Sequence, residues 1–395
     1  MKFTRQASIL AGAAALALLV TSCSSPQSSG DAEGSEDKST LVIAAPMAIT
    51  GPVGSVGLEV KEGAELAIAQ VNAEGGIDGH KLELKLQDTA GEPSQAVQVA
   101  TSFVKDPEVI ALLGPLLTPE VAAVYPLTAA NKIVMIPPAS IGVIPGAEDG
   151  NFNEWTFRIN QPAAPIATPL VDAAIERSDA KKVTILHVDN NPTYVEIAQS
   201  WAAAAEEAGV EVQEIGFPST TTDFSSIVTS IDPDADLLAL AMLPANVAAM
   251  VSSARQAGVD APVMGETTLL GAEVWAGSRG GVEGGLAYSV FLAEANDASK
   301  QFAEDFKAEY DKEPTLFNAL AFDSVKMIAA SLKGEPTRDN VRKGLSALSE
   351  YPGTTGTISY DGSGDVLRKD VPLVEIGAEG VPEKVGTLEL ESSGK

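Results

Sequence analysis

Residues 41–79 read LVIAAPMAITGPVGSVGLEVKEGAELAIAQVNAEGGIDG. The opening run, Leu41-Val42-Ile43-Ala44-Ala45, is apolar without interruption, the pattern of a strand buried on both faces. Thr50-Gly51-Pro52 then turns the chain. Beyond it Val60, Ala64, Ala67, Ile68 and Val71 recur at helical spacing, and Gly75-Gly76 ends that helix. A fully buried strand that feeds an amphipathic helix is half of a βαβ unit, so the stretch predicts a parallel sheet covered by crossover helices.

The same alternation extends on the C-terminal side. Strands are predicted over 81–87, 109–113 and 133–136, with helices over 96–104 and 119–131 between them. Beyond Arg158 a second set follows: helices over 165–176, 194–208, 224–230 and 244–257, interleaved with strands over 182–187, 210–217, 237–241 and 262–264. A strand over 286–290, helices over 298–310 and 316–332, and strands over 357–360 and 371–376 joined by the turn Asp361-Gly362-Ser363-Gly364 complete the chain. No repeat of 20 to 50 residues is visible, so two α/β lobes, not a solenoid, are expected.

Composition narrows the function classes. Of 395 residues 45% are apolar and only 5% aromatic, which describes an Ala/Val/Leu-packed α/β protein. The formal net charge of −28 repels phosphate backbones and anionic headgroups, which excludes nucleic acid and the bare lipid surface as partners. There is no Gly-x-Ser-x-Gly elbow, no phosphate-cradling Gly-Lys-Ser/Thr loop and no His/Cys cluster with metal spacing, so neither catalysis nor a metal or cofactor is expected. The two histidines, His80 in a tight turn and His187 at a strand end, are read as structural.

The N-terminus reads as an address. Lys2 and Arg5 precede an apolar run over 9–20, shorter than the roughly 20 residues a bilayer span needs, so residues 1–22 are expected to be a cleaved signal peptide. Val20-Thr21-Ser22-Cys23 is similar to a bacterial lipobox, which assigns lipidation to Cys23. Cys23 is the one cysteine, so no intramolecular disulfide can form. Residues 23–40 are polar and small, the composition of a disordered tether. The expected location is the outer face of the cytoplasmic membrane, held there by the lipid anchor alone.

Three stretches at fixed relative positions, Ile49-Thr50-Gly51-Pro52, Asn72-Ala73-Glu74-Gly75-Gly76-Ile77-Asp78-Gly79 and Asp88-Thr89-Ala90-Gly91-Glu92-Pro93-Ser94-Gln95-Ala96, resemble the leucine/isoleucine/valine-binding proteins, type I periplasmic solute-binding proteins of branched-chain amino acid ABC transporters. Leu113-Gly114, Pro137-Pro138-Ala139-Ser140, Phe157-Arg158, Asp223-Phe224-Ser225 and Gly353-Thr354-Thr355-Gly356 follow in the family's order, and the likeness runs from Leu41 to about Ile376.

The resemblance implies two Rossmann-like lobes with parallel sheets flanked by helices, joined by a three-strand hinge. Lobe one is expected at 41–159 with 289–358, and lobe two at 160–288 with 359–390. It also implies a monomer that closes on a small amino-acid-like solute, a branched-chain amino acid or a related carboxylate or amide, and hands it to ABC permease subunits. The alternative is a ligand-sensing receptor component that signals through a partner protein.

Carried onto this chain, the family's binding positions fall on Thr118, Ala139, Ser140, Ile141, Tyr194, Glu266, Thr267, Val56, Met242 and Phe317. Thr118, just before Pro119, is a predicted N-cap whose helix end would meet a carboxylate. Four positions depart from the pattern. Ile141 stands where a threonine is usual and offers only its backbone; Val56 and Met242 replace tyrosines; and strict register puts Thr267, with Glu266 one residue away, at the acidic position that would face an ammonium. The family's small disulfide is absent, with Gly91 and Leu117 in its place. A roomier, more aliphatic cleft is the expectation.

Overall fold

The structure is a computed structural model that describes residues 40–142, 152–332, 334–360, 364–366, 368 and 370–390. The expected signal peptide, the lipidation of Cys23, the tether before Thr40 and most of the turn Asp361-Gly362-Ser363-Gly364 lie outside them. The described residues belong to one folded unit.

In chain order, β1 (Leu41–Met47) leads into α1 (Gly54–Ala73), β2 (Leu82–Asp88) into α2 (Pro93–Val104), and β3 (Val109–Leu113) into α3 (Thr118–Asn131), before β4 (Val134–Ile136). The second series is α4 (Ala167–Ser178), β5 (Lys182–Val188), α5 (Pro192–Glu207), β6 (Glu211–Phe217), α6 (Ser225–Ser230), β7 (Leu237–Ala241), α7 (Pro244–Gln256), β8 (Val263–Gly265), α8 (Ala272–Ser278) and β9 (Leu286–Tyr288). The chain then forms α9 (Asp297–Tyr310), α10 (Leu316–Ser331), α11 (Arg338–Ser346), a hairpin of β10 (Tyr351–Gly353) and β11 (Gly356–Ile358), and finally β12 (Asp370–Ile376) and β13 (Pro382–Glu389).

These elements build two lobes, each a sheet flanked by helices. The first sheet is parallel in the order β2-β1-β3-β4; the second runs β13-β12-β9-β8-β7-β5-β6. In the second, β12 pairs antiparallel with both β9 and β13, so this sheet is mixed and not purely parallel as expected. β13, α8 and α11 were not expected either. Only Leu388 of β13 is buried, so this edge strand lacks the alternating apolar row that marks a half-buried one. α11 buries only Val341 and Leu345.

Apolar periodicity explains the layers. β1 is buried along its whole length, and α10 lies tightly on α1. Gly63 permits that approach, since a Cβ there would stand 2.0 Å from the Asn318 carbonyl oxygen.

The chain passes between sheets three times, and the passages are tied together. Met135 donates to Trp155 O at 2.8 Å and Phe157 to Met135 O at 3.0 Å, so the first passage leaves from the edge of β4. Arg158 then donates Nε to Asp365 Oδ1 at 3.0 Å and Nη1 to Gly142 O at 2.7 Å, while Ser289 N reaches Pro372 O at 3.1 Å. Short backbone segments bound to one another make a hinge about which packed lobes can turn as bodies.

Candidate functional site

Strands of both sheets point their carboxyl ends at the gap between the lobes, where open α/β sheets hold ligands because each following helix begins there. One cavity occupies this gap. It is lined by Val53, Val56, Leu116, Leu117, Thr118, Ala139, Ile141 and Phe317 from the first lobe and by Asn191, Thr193, Tyr194, Pro244, Thr267 and Thr268 from the second. Val56, Thr118, Ala139, Ile141, Tyr194, Thr267 and Phe317 of the expected residues therefore face one space.

That space is small. The space open to the centres of water-sized molecules is about 50 Å³, several times the roughly 10–15 Å³ that one water needs on that measure. Val53, Leu116, Leu117 and Pro244, none of them expected at the site, close in around it.

Thr118 differs from its expected role. Leu117 is the N-cap, with an extended backbone, and Thr118 is the first helical residue. Its hydroxyl is not spent on the helix: Oγ1 lies 3.0 Å from Ser140 Oγ and accepts the Gly142 N–H at 3.3 Å. The helix start is held by Glu120, whose Oε2 accepts the Leu117 N–H at 3.2 Å while Oε1 takes the Thr89 hydroxyl at 2.5 Å. Ser140 is thus turned onto Thr118 and away from the cavity wall. The Ile141 carbonyl accepts Ala163 N–H at 3.0 Å, so of the two backbone groups expected to serve a ligand one is already engaged.

On the opposite wall the register question has a structural answer. Thr267 lines the cavity and Glu266 does not. Glu266 is 1% exposed and accepts the Tyr288 hydroxyl at 2.7 Å through Oε2, while Oε1 is buried without a partner. Burial pushes its carboxyl up to about 7, against the lowering by Tyr288. Burial likewise raises the Tyr194 hydroxyl, with the Glu266 charge adding to it. Met242, expected on the wall, is fully buried beneath it, its carbonyl accepting the Thr268 hydroxyl at 3.2 Å.

Asn191, Thr193, Pro244 and Thr268 were not expected. A signal existed for the first three: each lies at the N-cap or first turn of a helix directly after a strand, as Thr118 does. Asn191 caps α5 by accepting the Thr193 N–H at 3.0 Å. The lobes also meet here, since a Cβ on Gly142 would lie 2.7 Å from Thr193 Oγ1.

At the rim, Ser55 of α1 donates to Glu273 Oε1 of α8 at 2.8 Å, one turn from Glu59. Burial raises the Glu59 carboxyl to about 7, the Thr315 hydroxyl opposing and the Glu273 charge adding to the rise. Among the described residues no His/Cys/Asp/Glu group could hold a metal ion, and no helix is long and apolar enough to cross a membrane.

Comparison with known proteins agrees with this architecture. A family model described as periplasmic binding protein matches residues 40–380. The chain is 28% identical over 334 residues to a Leu/Ile/Val-binding protein homolog of Brucella melitensis, covering 83% of this chain and 88% of that one. It is 26% identical to the leucine-, isoleucine-, valine-, threonine- and alanine-binding protein of Pseudomonas aeruginosa, over 85% and 90% of the two chains. In fold it resembles the branched-chain amino acid transporter substrate-binding protein of Streptococcus pneumoniae solved with isoleucine, at a TM-score of 0.80 and 23% identity over 89% of this chain and 100% of that one. A solute-binding protein of R. palustris solved with 4-hydroxybenzoate is similar too, at a TM-score of 0.78 and 19% identity over 89% of this chain and 98% of that one.

Proposed function

Because the chain belongs to the periplasmic binding protein family, whose members bind solutes and do no chemistry on them, we propose that it is the substrate-binding lipoprotein of an ABC importer. It captures a small amino-acid-like solute, a branched-chain amino acid or a related carboxylate or amide, by closing its lobes, and delivers it to a membrane permease. The observation that carries this reading is the cavity between the two sheets, walled from both sides by first-turn residues of α3, α5 and α7 and spanned at its rim by the Ser55–Glu273 bond. A space of about 50 Å³ in that position suits a cleft that shuts by hinge motion.

In this reading lobe one comprises 41–159 with 289–358 and lobe two 160–288 with 359–390. The contact residues are Thr118, Ala139, Ile141, Tyr194, Thr267, Val56 and Phe317, with Ser140, Glu266 and Met242 supporting them from behind. The names of the relatives favour aliphatic amino acids as the first solutes to try. Cys23 carries the lipid, and Cys23→Ala is expected to release the protein from the cell surface into the medium.

The deciding experiment is calorimetry and thermal unfolding against a panel of aliphatic and aromatic amino acids, their deaminated acids and short amides. A true ligand at 100 times its dissociation constant stabilises the folded form by about 2.7 kcal/mol. Solution scattering on the same samples should show a smaller radius of gyration with ligand. No heat from any compound, together with one unvarying shape, would refute the proposal.

A further inference from the structure

α1 connects strands of the first sheet and α8 strands of the second, and the two helices meet at the rim of the cleft with carboxylates on both sides. We propose that Glu59 of α1, facing Glu273 of α8, is a proton-operated latch: with a proton on Glu59 the lobes stay shut, and its loss drives them apart. The inference goes beyond solute binding and takes from the function proposed above only the hinge closure.

The contact across the rim is direct. Ser55 Oγ donates to Glu273 Oε1 at 2.8 Å. Ser55, Glu59 and Glu62 follow one another at four- and three-residue spacing, so they share one face of α1, and that face brings two carboxylates to the edge where a third arrives from α8. Glu59 is fixed from its own side: Oε2 accepts the Thr315 hydroxyl at 2.8 Å, and its main-chain oxygen accepts the Asn318 amide at 2.7 Å. It therefore cannot swing away when α8 approaches.

The charges around it do not balance. Glu273 faces Glu59 from α8 and Glu62 from its own helix, while Thr315 and Asn318, packed on it from the start of α10, are neutral. Lys312, from the segment before α10, is the cation beside it, and its ammonium is bound to Glu62 Oε1 at 2.8 Å. Two like charges brought together in a partly buried place disfavour ionisation of one of them.

The sign of the coupling follows from which group moves. Burial holds the Glu59 carboxyl up at about 7, and of the charges acting on it Glu273 alone departs with the other lobe, since Glu62 and Lys312 stay on the α1 and α10 side. Opening thus lowers the carboxyl, and closing takes up a proton. The closed form is favoured in acid and loses that advantage as pH rises through about 7.

The test is single-molecule energy transfer between dyes on the purified protein, without any solute. The dyes sit on Ala69→Cys in α1 and Ala276→Cys in α8, both exposed positions, with Cys23→Ala so that no other thiol reacts. If opening lowers the Glu59 carboxyl by about half a pH unit, the closed-to-open ratio falls about threefold between pH 5.5 and pH 8.5. That fall is expected in the parent and also in Glu266→Gln, which removes the other carboxyl held at about 7. It should vanish in Glu59→Gln and shrink in Glu273→Gln, whose amide oxygen still accepts the Ser55 hydroxyl. A ratio that ignores pH overturns the latch, a single unvarying rim distance included. So does a response that survives Glu59→Gln, is undiminished in Glu273→Gln or is abolished by Glu266→Gln. Each of these failures leaves the solute-binding reading to be decided by the calorimetric panel.

Discussion

Replacing Glu266 by glutamine should stabilise the protein at alkaline pH and leave it nearly unchanged in acid. The carboxyl is held up to about 7 in the folded protein by burial, against 4.5 for an exposed glutamate. The folded state therefore binds this proton more tightly than the unfolded state does, so the stability linked to it is fully present below pH 4.5 and is lost as pH rises to about 7. At about 1.4 kcal/mol per unit, a shift of this size corresponds to about 3 kcal/mol between pH 4.5 and pH 8. The amide of Glu266→Gln keeps the shape of the carboxyl and an oxygen to accept the Tyr288 hydroxyl, which now stands at 2.7 Å. Urea denaturation of both proteins at pH 4.5 and pH 8 reads the difference directly. Glu59, raised to about 7 for the same reason, adds its slope to both proteins and cancels in the comparison. If the gap between variant and parent is the same at both pH values, Glu266 does not titrate from a buried site and the placement argued for it is wrong.

Ser55→Ala removes the bond to Glu273 across the rim, and a lost hydrogen bond of about 1 kcal/mol predicts roughly five-fold weaker ligand binding with the ligand-free melting temperature almost unmoved. Thr118→Val takes away the contacts to Ser140 and to the Gly142 N–H; ligand affinity should fall about tenfold by calorimetry, and an unaltered affinity would remove Thr118 from the binding wall. Gly63→Ala drives a methyl group against the Asn318 carbonyl oxygen, so α1 and α10 must separate, and a loss of about 1–3 kcal/mol in urea denaturation is expected.

The fold was largely legible because its signals are local. β1, β3 and β7 are apolar along their whole length and buried along their whole length, and the helices between them carry one apolar face each. What escaped were β13, which pairs along an edge with most of its side chains in solvent, and the direction of β12, an expected strand that runs antiparallel to β9.

The wall of the cleft divides in the same way. Val56, Thr118, Tyr194 and Phe317 could be placed from helix starts and motif order, and they line the cavity. Whether Glu266 or Thr267 faces inward could not, since neighbouring residues in a loop differ by a rotation that no periodicity records.

Strand and helix alternation, the acid-rich composition and the approximate starts of the helices are properties of the chain read in order, because hydrophobic spacing and turn signals act over a few residues. The orientation of Glu266 onto Tyr288, the burial of Met242 and the closeness of Ser55 to Glu273 join residues 22, 26 and 218 positions or more from their partners. Such contacts exist only once two sheets have packed and set their loops face to face, since desolvation and hydrogen bonding at that distance along the chain are decided by packing, not by sequence neighbours.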